Sequence, residues 1–184
     1  EVVAVGPDVT GLRPGEQVYY AGSITRSGAN AEFHLVDERI TGHKPASLSD
    51  TQAAALPLTA ITAWEVLFDR LDVRRPVPGA ANAVLVIGGA GGVGSITIQL
   101  LQALTDLTVI ATASRPETEA WVRELGAHHV IGHRKPLAEQ VAALGIGAPA
   151  FVFSMIGAHH VVNHREPLAE QVAALGIGAP AFVF

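Results

Sequence analysis

Residues 83–104 read AVLVIGGAGGVGSITIQLLQAL. A short apolar run, uninterrupted by charge, passes into a cluster of glycines and then into a helical pattern. A strand that is apolar on both faces belongs inside a parallel sheet covered on both sides. Gly89, Gly91 and Gly94 fit the spacing G-x-G-x-x-G between that strand and the helix. In this motif the first glycine permits a tight turn, and the second lets a pyrophosphate approach the backbone. The third lets helix and strand pack closely, while the helix N-terminus offers N–H groups and the positive end of its dipole. Alone the pattern is weak, because a glycine turn can be purely structural. Its placement between strand and helix, ahead of a further βαβ unit, gives it the context of a dinucleotide site.

Beyond this helix the chain keeps alternating. LTVIATAS reads as a second strand, PETEAWVREL as a helix closed by Gly126, and HHVIGH as a third strand. Pro136 opens a helix with the stripe Leu137, Val141 and Leu144, stopped by Gly145, and PAFVFSM is a fourth strand. Repeated βα units predict a doubly wound parallel sheet, so the fold class is α/β with a partial Rossmann arrangement. Upstream the texture differs. EVVAVGPDVTGLRPGEQVYYAG alternates short β-rich runs with turn signals, and AEFHLVDERI reads as another strand of a small barrel or sandwich. Ser49 and Gln52 stand in capping-box relation before AAALPLTAITAWEVLF. Pro57 must end or kink that helix, giving two pieces that meet near Leu58.

The end of the second strand bears on which dinucleotide would fit. An NAD site usually places a carboxylate there, about twenty residues after the glycines, to hold the ribose hydroxyls. Here the place reads Thr112, Ala113, Ser114, Arg115. A guanidinium can pair a 2′-phosphate bidentately, which favours NADP(H) over NAD. Two plainer readings stand beside this one. Ser114 with Glu117 forms a capping box for the next helix, and Arg115 is then a solvated first-turn residue.

Composition narrows the alternatives. Apolar residues are 49% and charged residues 16%, so the chain buries a core and is not disordered. The net charge of −5 comes without a basic stripe, which argues against nucleic acid as a partner. There is no cysteine, hence no disulfide and no thiolate–zinc site. Polar residues and glycines interrupt every long apolar run, so no membrane span is expected, and no signal peptide is visible. The chain opens on Glu1 within a strand-like segment and reads as a piece of a longer, cytoplasmic protein. Eight histidines raise the question of metal, but His128 and His129 are adjacent on a strand and point to opposite faces. Three ligands from one short strand make poor tetrahedral geometry, so no metal site is expected.

The pieces VVAVGPDVTGLRPGEQV, AEFHLV, AAALPLTAITAWEVLF, GGAGGVGS and LGAHHVI occur in this order. In combination they resemble the medium-chain dehydrogenase/reductase superfamily, and within it the zinc-free quinone oxidoreductase branch that includes zinc-type alcohol dehydrogenase-like proteins. The resemblance covers about residues 1 to 154. It implies a remnant of a GroES-like catalytic domain over 1–47, connecting helices over 48–75 and a nucleotide-binding domain over 76–156. Zinc alcohol dehydrogenases of the superfamily carry a four-cysteine lobe where GEQVYY and AEFHLV are joined here only by AGSITRSGAN. The structural zinc lobe is therefore absent, and the branch implies no metal.

By the same resemblance Gly89, Gly91, Gly92, Val93 and Gly94 line the pyrophosphate, and Arg115 meets the 2′-phosphate; Ser114, by its place beside Arg115, can cap the helix and still contact that phosphate. His133 falls where relatives often have a tyrosine beside the adenosine. Thr62 matches a threonine near the nicotinamide, although a helix hydroxyl bonding back to its own backbone explains it equally well. The implied chemistry is hydride transfer from NADPH to a quinone or an activated carbonyl or alkene, on a small-molecule substrate, in a parent that is a homodimer. The alternatives are a dinucleotide-binding remnant without catalysis and a zinc-dependent alcohol dehydrogenase. No catalytic residue is identified.

One feature belongs to no family pattern. Residues 157–184 repeat 126–153, differing only at Ile131 against Val162, Gly132 against Asn163, and Lys135 against Glu166. Solenoids need three or more stacked units, so two copies at the end of an unrelated region imply a duplication and no periodic architecture. Ser154, Met155 and Ile156 are too few to cross between parallel neighbours. The second copy must turn back antiparallel, extend away, or displace its twin from the sheet.

Overall fold

The computed structural model describes residues 1–155. The second copy of the repeat, with the three paths expected for it, lies outside the described residues. The chain divides into two compact units, Glu1–Ile61 and the part from Thr62 onward. Residues 48–75, expected to connect domains, are thereby shared between the two.

In the first unit two short strands, β1 (Val18–Tyr19) and β2 (Gly42–His43), pair antiparallel. The strand expected over AEFHLVDERI does not form. Residues 31–37 are bends and coil, followed by a single 3₁₀ turn, Glu38–Ile40. A strand needs a ladder partner for its N–H and C=O groups, and a two-stranded ribbon alone is marginal. Among the described residues no segment pairs with 31–36, and Phe33 and Leu35 stay exposed. The turn is held instead by side chains: Glu38 Oε2 accepts from the N–H groups of Thr10 and Gly11 at 3.2 and 2.9 Å. The Ser49–Gln52 capping box forms as expected and opens α1 (Asp50–Ala55). The helical pieces meet at Leu56, earlier than Leu58, because Pro57 takes the first position of α2 (Pro57–Trp64). A missing N–H costs nothing there.

The second unit is built on β3 (Ala81–Ile87), α3 (Gly92–Leu104), β4 (Thr108–Thr112), α4 (Pro116–Glu124), β5 (His129–Ile131), α5 (Leu137–Ala143) and β6 (Pro149–Ser154). The strands form one parallel sheet in the order β5-β4-β3-β6. Successive side chains of a strand point to opposite faces, and both faces here are apolar. Val84, Val86, Val109, Ala111, Phe151 and Phe153 pack with Ile98 and Leu101 of α3 and Val122 of α4. Ala83, Leu85 and Ile110 face the other way, onto Val141 and Leu137 of α5. This two-sided burial is why β3 reads as a continuous apolar run. The sheet is doubly wound: the chain moves outward from β3 through β4 to β5, then returns to add β6 on the other side.

Local signals hold the helices in place. Gly126 and Gly145 end α4 and α5 with φ of +108° and +69°, the left-handed conformation that only glycine adopts cheaply. His128 staples β5 to β4, since its N–H donates to the Val109 carbonyl and its Nδ1 accepts from the Val109 N–H, both at 2.9 Å.

Phe153, 1% exposed, fills the centre of the larger core. Phe153→Ala is expected to lower the unfolding free energy by about 3–5 kcal/mol, measured by urea denaturation. A loss below about 1 kcal/mol would place the side chain outside a packed core.

Candidate functional site

At the carboxyl ends of β3, β4 and β5 lies a cleft of about 390 Å³, lined by Gly88, Ala90, Gly91, Thr112, Ala113, Ser114, Arg115, Thr118 and His133. In an open α/β sheet this end of the strands, next to the point where strand order reverses, is where ligands bind.

One wall is the glycine turn between β3 and α3. The residue that makes the turn is Gly88, with φ of +73°, not Gly89 as the motif suggests. Gly89 is buried, and its missing side chain serves packing: a Cβ there would lie 3.0 Å from Ala111 Cβ and 3.3 Å from both Ile98 and Val122. Gly94 allows the tightest approach, since a Cβ there would stand 2.3 Å from the Gly88 oxygen and 2.8 Å from Gly89 Cα. Gly91 caps α3 and brings no side-chain oxygen to the first turn. The N–H groups of that turn, at Gly92, Val93 and Gly94, thus have no capping side chain to compete with an anion for them.

The other wall begins where β4 ends. Its cap differs from the one expected at Ser114 and Glu117. Pro116 occupies the first helical position, which makes Arg115 the cap residue of α4. Thr118, three residues on, supplies the hydroxyl: it accepts from the Arg115 N–H at 3.2 Å and donates to the Arg115 carbonyl at 2.9 Å. Ser114 is thereby released from capping and lines the cleft, and the exposed Arg115 side chain stands on a fixed backbone.

His133 comes from the loop after β5. Gln140 of α5 clamps that loop, accepting from the Gly132 N–H at 3.0 Å and donating to the carbonyls of Gly132 and Lys135 at 2.7 and 3.1 Å.

Of the residues singled out in the sequence, Gly91, Ser114, Arg115 and His133 line the cleft together. Gly92, Val93 and Gly94 form the adjoining first turn of α3, and Gly89 lies beneath it. Thr62 sits half-buried in α2 and is not among the lining residues. Gly88, Ala90, Thr112, Ala113 and Thr118 were not singled out, although Pro116 fixes the cap and so points to Thr118. The cleft is lined by one guanidinium and one imidazole and by no carboxylate. It is suited to an elongated ligand with phosphate groups at the glycine turn and beside Arg115.

Among the described residues no group of three or more histidine, cysteine, aspartate or glutamate side chains stands together. No helix among them is long and apolar enough to cross a membrane.

Comparison with known proteins agrees with this geometry. Residues 92–165 match the family described as zinc-binding dehydrogenase. A zinc-type alcohol dehydrogenase-like protein of Staphylococcus aureus is 44% identical over 153 residues, which span 83% of this chain and 45% of that protein. A crystal structure from Rhizobium etli, provisionally described as a zinc-dependent alcohol dehydrogenase, superposes with a TM-score of 0.81 and 72% identity over 83% of this chain and 45% of its own. The quinone oxidoreductase of Escherichia coli, solved with NADPH, gives 0.62 and 28% over 78% of this chain and 42% of its own. The chain thus spans about half the length of the relatives it matches. These likenesses support a place for it in the medium-chain dehydrogenase/reductase superfamily.

The crowding at the turn makes a graded prediction. Gly94→Ala is expected to cost about 1–3 kcal/mol of stability or more, whereas Gly91→Ala, whose Cβ would lie 3.3 Å from the Gly88 oxygen, costs less. Equal unfolding midpoints for the two variants would show that α3 can shift away from β3 freely.

Proposed function

From these likenesses and the geometry of the cleft we propose that the chain carries the nucleotide-binding part of an NADPH-dependent oxidoreductase of the quinone oxidoreductase type. The observation that carries the proposal is the cleft itself. It has a glycine-lined helix N-terminus at one end and Ser114, Arg115 and His133 at the other, and its lining has no carboxylate to hold a 2′-hydroxyl. A side chain at Gly94 would collide with the Gly88 carbonyl, so the absence of one lets the first turn of α3 lie close against the end of β3 beside the cleft.

Gly91, Gly92, Val93 and Gly94 would hold the pyrophosphate through backbone N–H groups. Arg115 would pair the 2′-phosphate, with Ser114 as a neutral donor beside it. His133 would pack near the adenosine, on a loop kept in place by Gln140. The dinucleotide, when bound, supplies a hydride to a quinone or an activated carbonyl or alkene. The chain's contribution is to orient that group and shield it from water. The preference for NADPH over NADH rests on Arg115 and on the missing acid. The relation to the quinone oxidoreductases supports the substrate class.

Calorimetric titration with NADPH and NADH tests the reading. NADPH is expected to bind more tightly, and Arg115→Ala to weaken NADPH by about tenfold (~1.4 kcal/mol) while leaving NADH unchanged. Equal affinities of the unchanged chain for the two nucleotides would remove the 2′-phosphate role. No binding of either would remove the proposal.

A further inference from the structure

Thr112 is almost fully buried, at 2% exposure, and the glycine motif does not include it. The ladder between β3 and β4 ends at Val86 opposite Ala111. Beyond that rung the strands would part. Instead the Gly88 N–H donates to the Thr112 hydroxyl at 2.9 Å, and the Gly89 N–H donates to the Thr112 carbonyl at 3.2 Å. Thr112 is held in turn by β5, paired with Ile131.

Gly88 is where the turn is made, and its carbonyl has two tasks. It accepts from the Gly91 N–H at 3.0 Å, and it is the atom against which Gly94 packs. That carbonyl belongs to the Gly88–Gly89 peptide, which the Thr112 carbonyl holds through the Gly89 N–H, while the Thr112 hydroxyl holds the preceding peptide through the Gly88 N–H. Thr112 thus grips both peptide units that meet at Gly88, and a twist there displaces Gly91 and Gly94 together. A valine at 112 would keep the shape and the backbone bond but leave the Gly88 N–H without its acceptor at the floor of the cleft.

We propose that Thr112 is the positioning residue of the nucleotide turn, its hydroxyl fixing Gly88 and through it the backbone that meets the pyrophosphate. This rests on the proposed dinucleotide reading, and it adds a division of labour within the cleft. Thr112 acts on the part common to NADPH and NADH, while Arg115 acts on the part that distinguishes them.

The test compares Thr112→Val, Thr112→Ser and Arg115→Ala in the full chain by calorimetry with both nucleotides. A readout without ligand is added: hydrogen exchange of the Gly88 amide. Thr112→Val is expected to weaken NADPH and NADH by the same factor, about tenfold, with their ratio unchanged. Thr112→Ser restores the affinity, and the Gly88 amide exchanges faster in the valine variant only. Unchanged nucleotide affinity in Thr112→Val overturns the proposal, as does a loss confined to NADPH. If the unchanged chain binds neither nucleotide, the dinucleotide reading fails. Equal Gly88 exchange in the unchanged chain and in Thr112→Val then overturns the role of the hydroxyl separately.

Discussion

The larger unit depends on one close approach, that of the first turn of α3 to the end of β3. No side chain fits between Gly94 and the Gly88 carbonyl, so α3 reaches the sheet at a depth no other residue would allow. That depth lets Ile98 and Leu101 enter the core formed by Val84, Val86 and Val109. It also sets the helix N-terminus directly behind the cleft. Packing and ligand geometry are thus one constraint, and a substitution that relaxes the first disturbs the second.

Much of the larger unit was legible because each segment carries its own signal. The apolar runs of β3 and β4 announce two-sided burial, and Gly126 and Gly145 mark helix ends whose φ values then prove positive. The misreadings are local and have physical causes. In the doublet Gly88–Gly89 the spacing rule selects the second glycine for the turn. Spacing carries no information on φ, and the left-handed residue is the first. Ser114 and Glu117 satisfied a capping pattern, but Pro116 prefers the first helical position and moved the cap onward by one residue. Gln140 acts through hydrogen bonds to a loop whose path only the folded chain reveals, and it does not stand out in a sequence. Thr118 becomes legible only once Pro116 is seen to set the cap at Arg115.

The smaller unit shows the opposite limit. AEFHLV has strand composition, yet strand formation is a property of pairs, and a pattern in one segment says nothing about whether its partner is at hand. His34 illustrates the substitution of side-chain for ladder bonds, with Nδ1 at 3.1 Å from the Tyr20 hydroxyl and Nε2 at 3.0 Å from the Ser27 carbonyl. Helix signals such as the Ser49–Gln52 box are satisfied within one turn and are legible from the segment alone. Dependence on distant partners is what separates the two cases.

The order β5-β4-β3-β6 has a consequence for how these four strands assemble. Among the described residues the two outer strands come from one continuous stretch of chain, and they lie on opposite sides of the β4–β3 pair. As the polypeptide emerges from the ribosome, β3, β4 and β5 can assemble in sequence. The far side of β3 then waits, with its peptide groups unpaired, until Pro149–Ser154 has been synthesised and carried across. An open margin of this kind invites pairing with any other extended chain nearby. The vulnerable interval in the life of this protein is thus the time needed to make α5 and the strand after it.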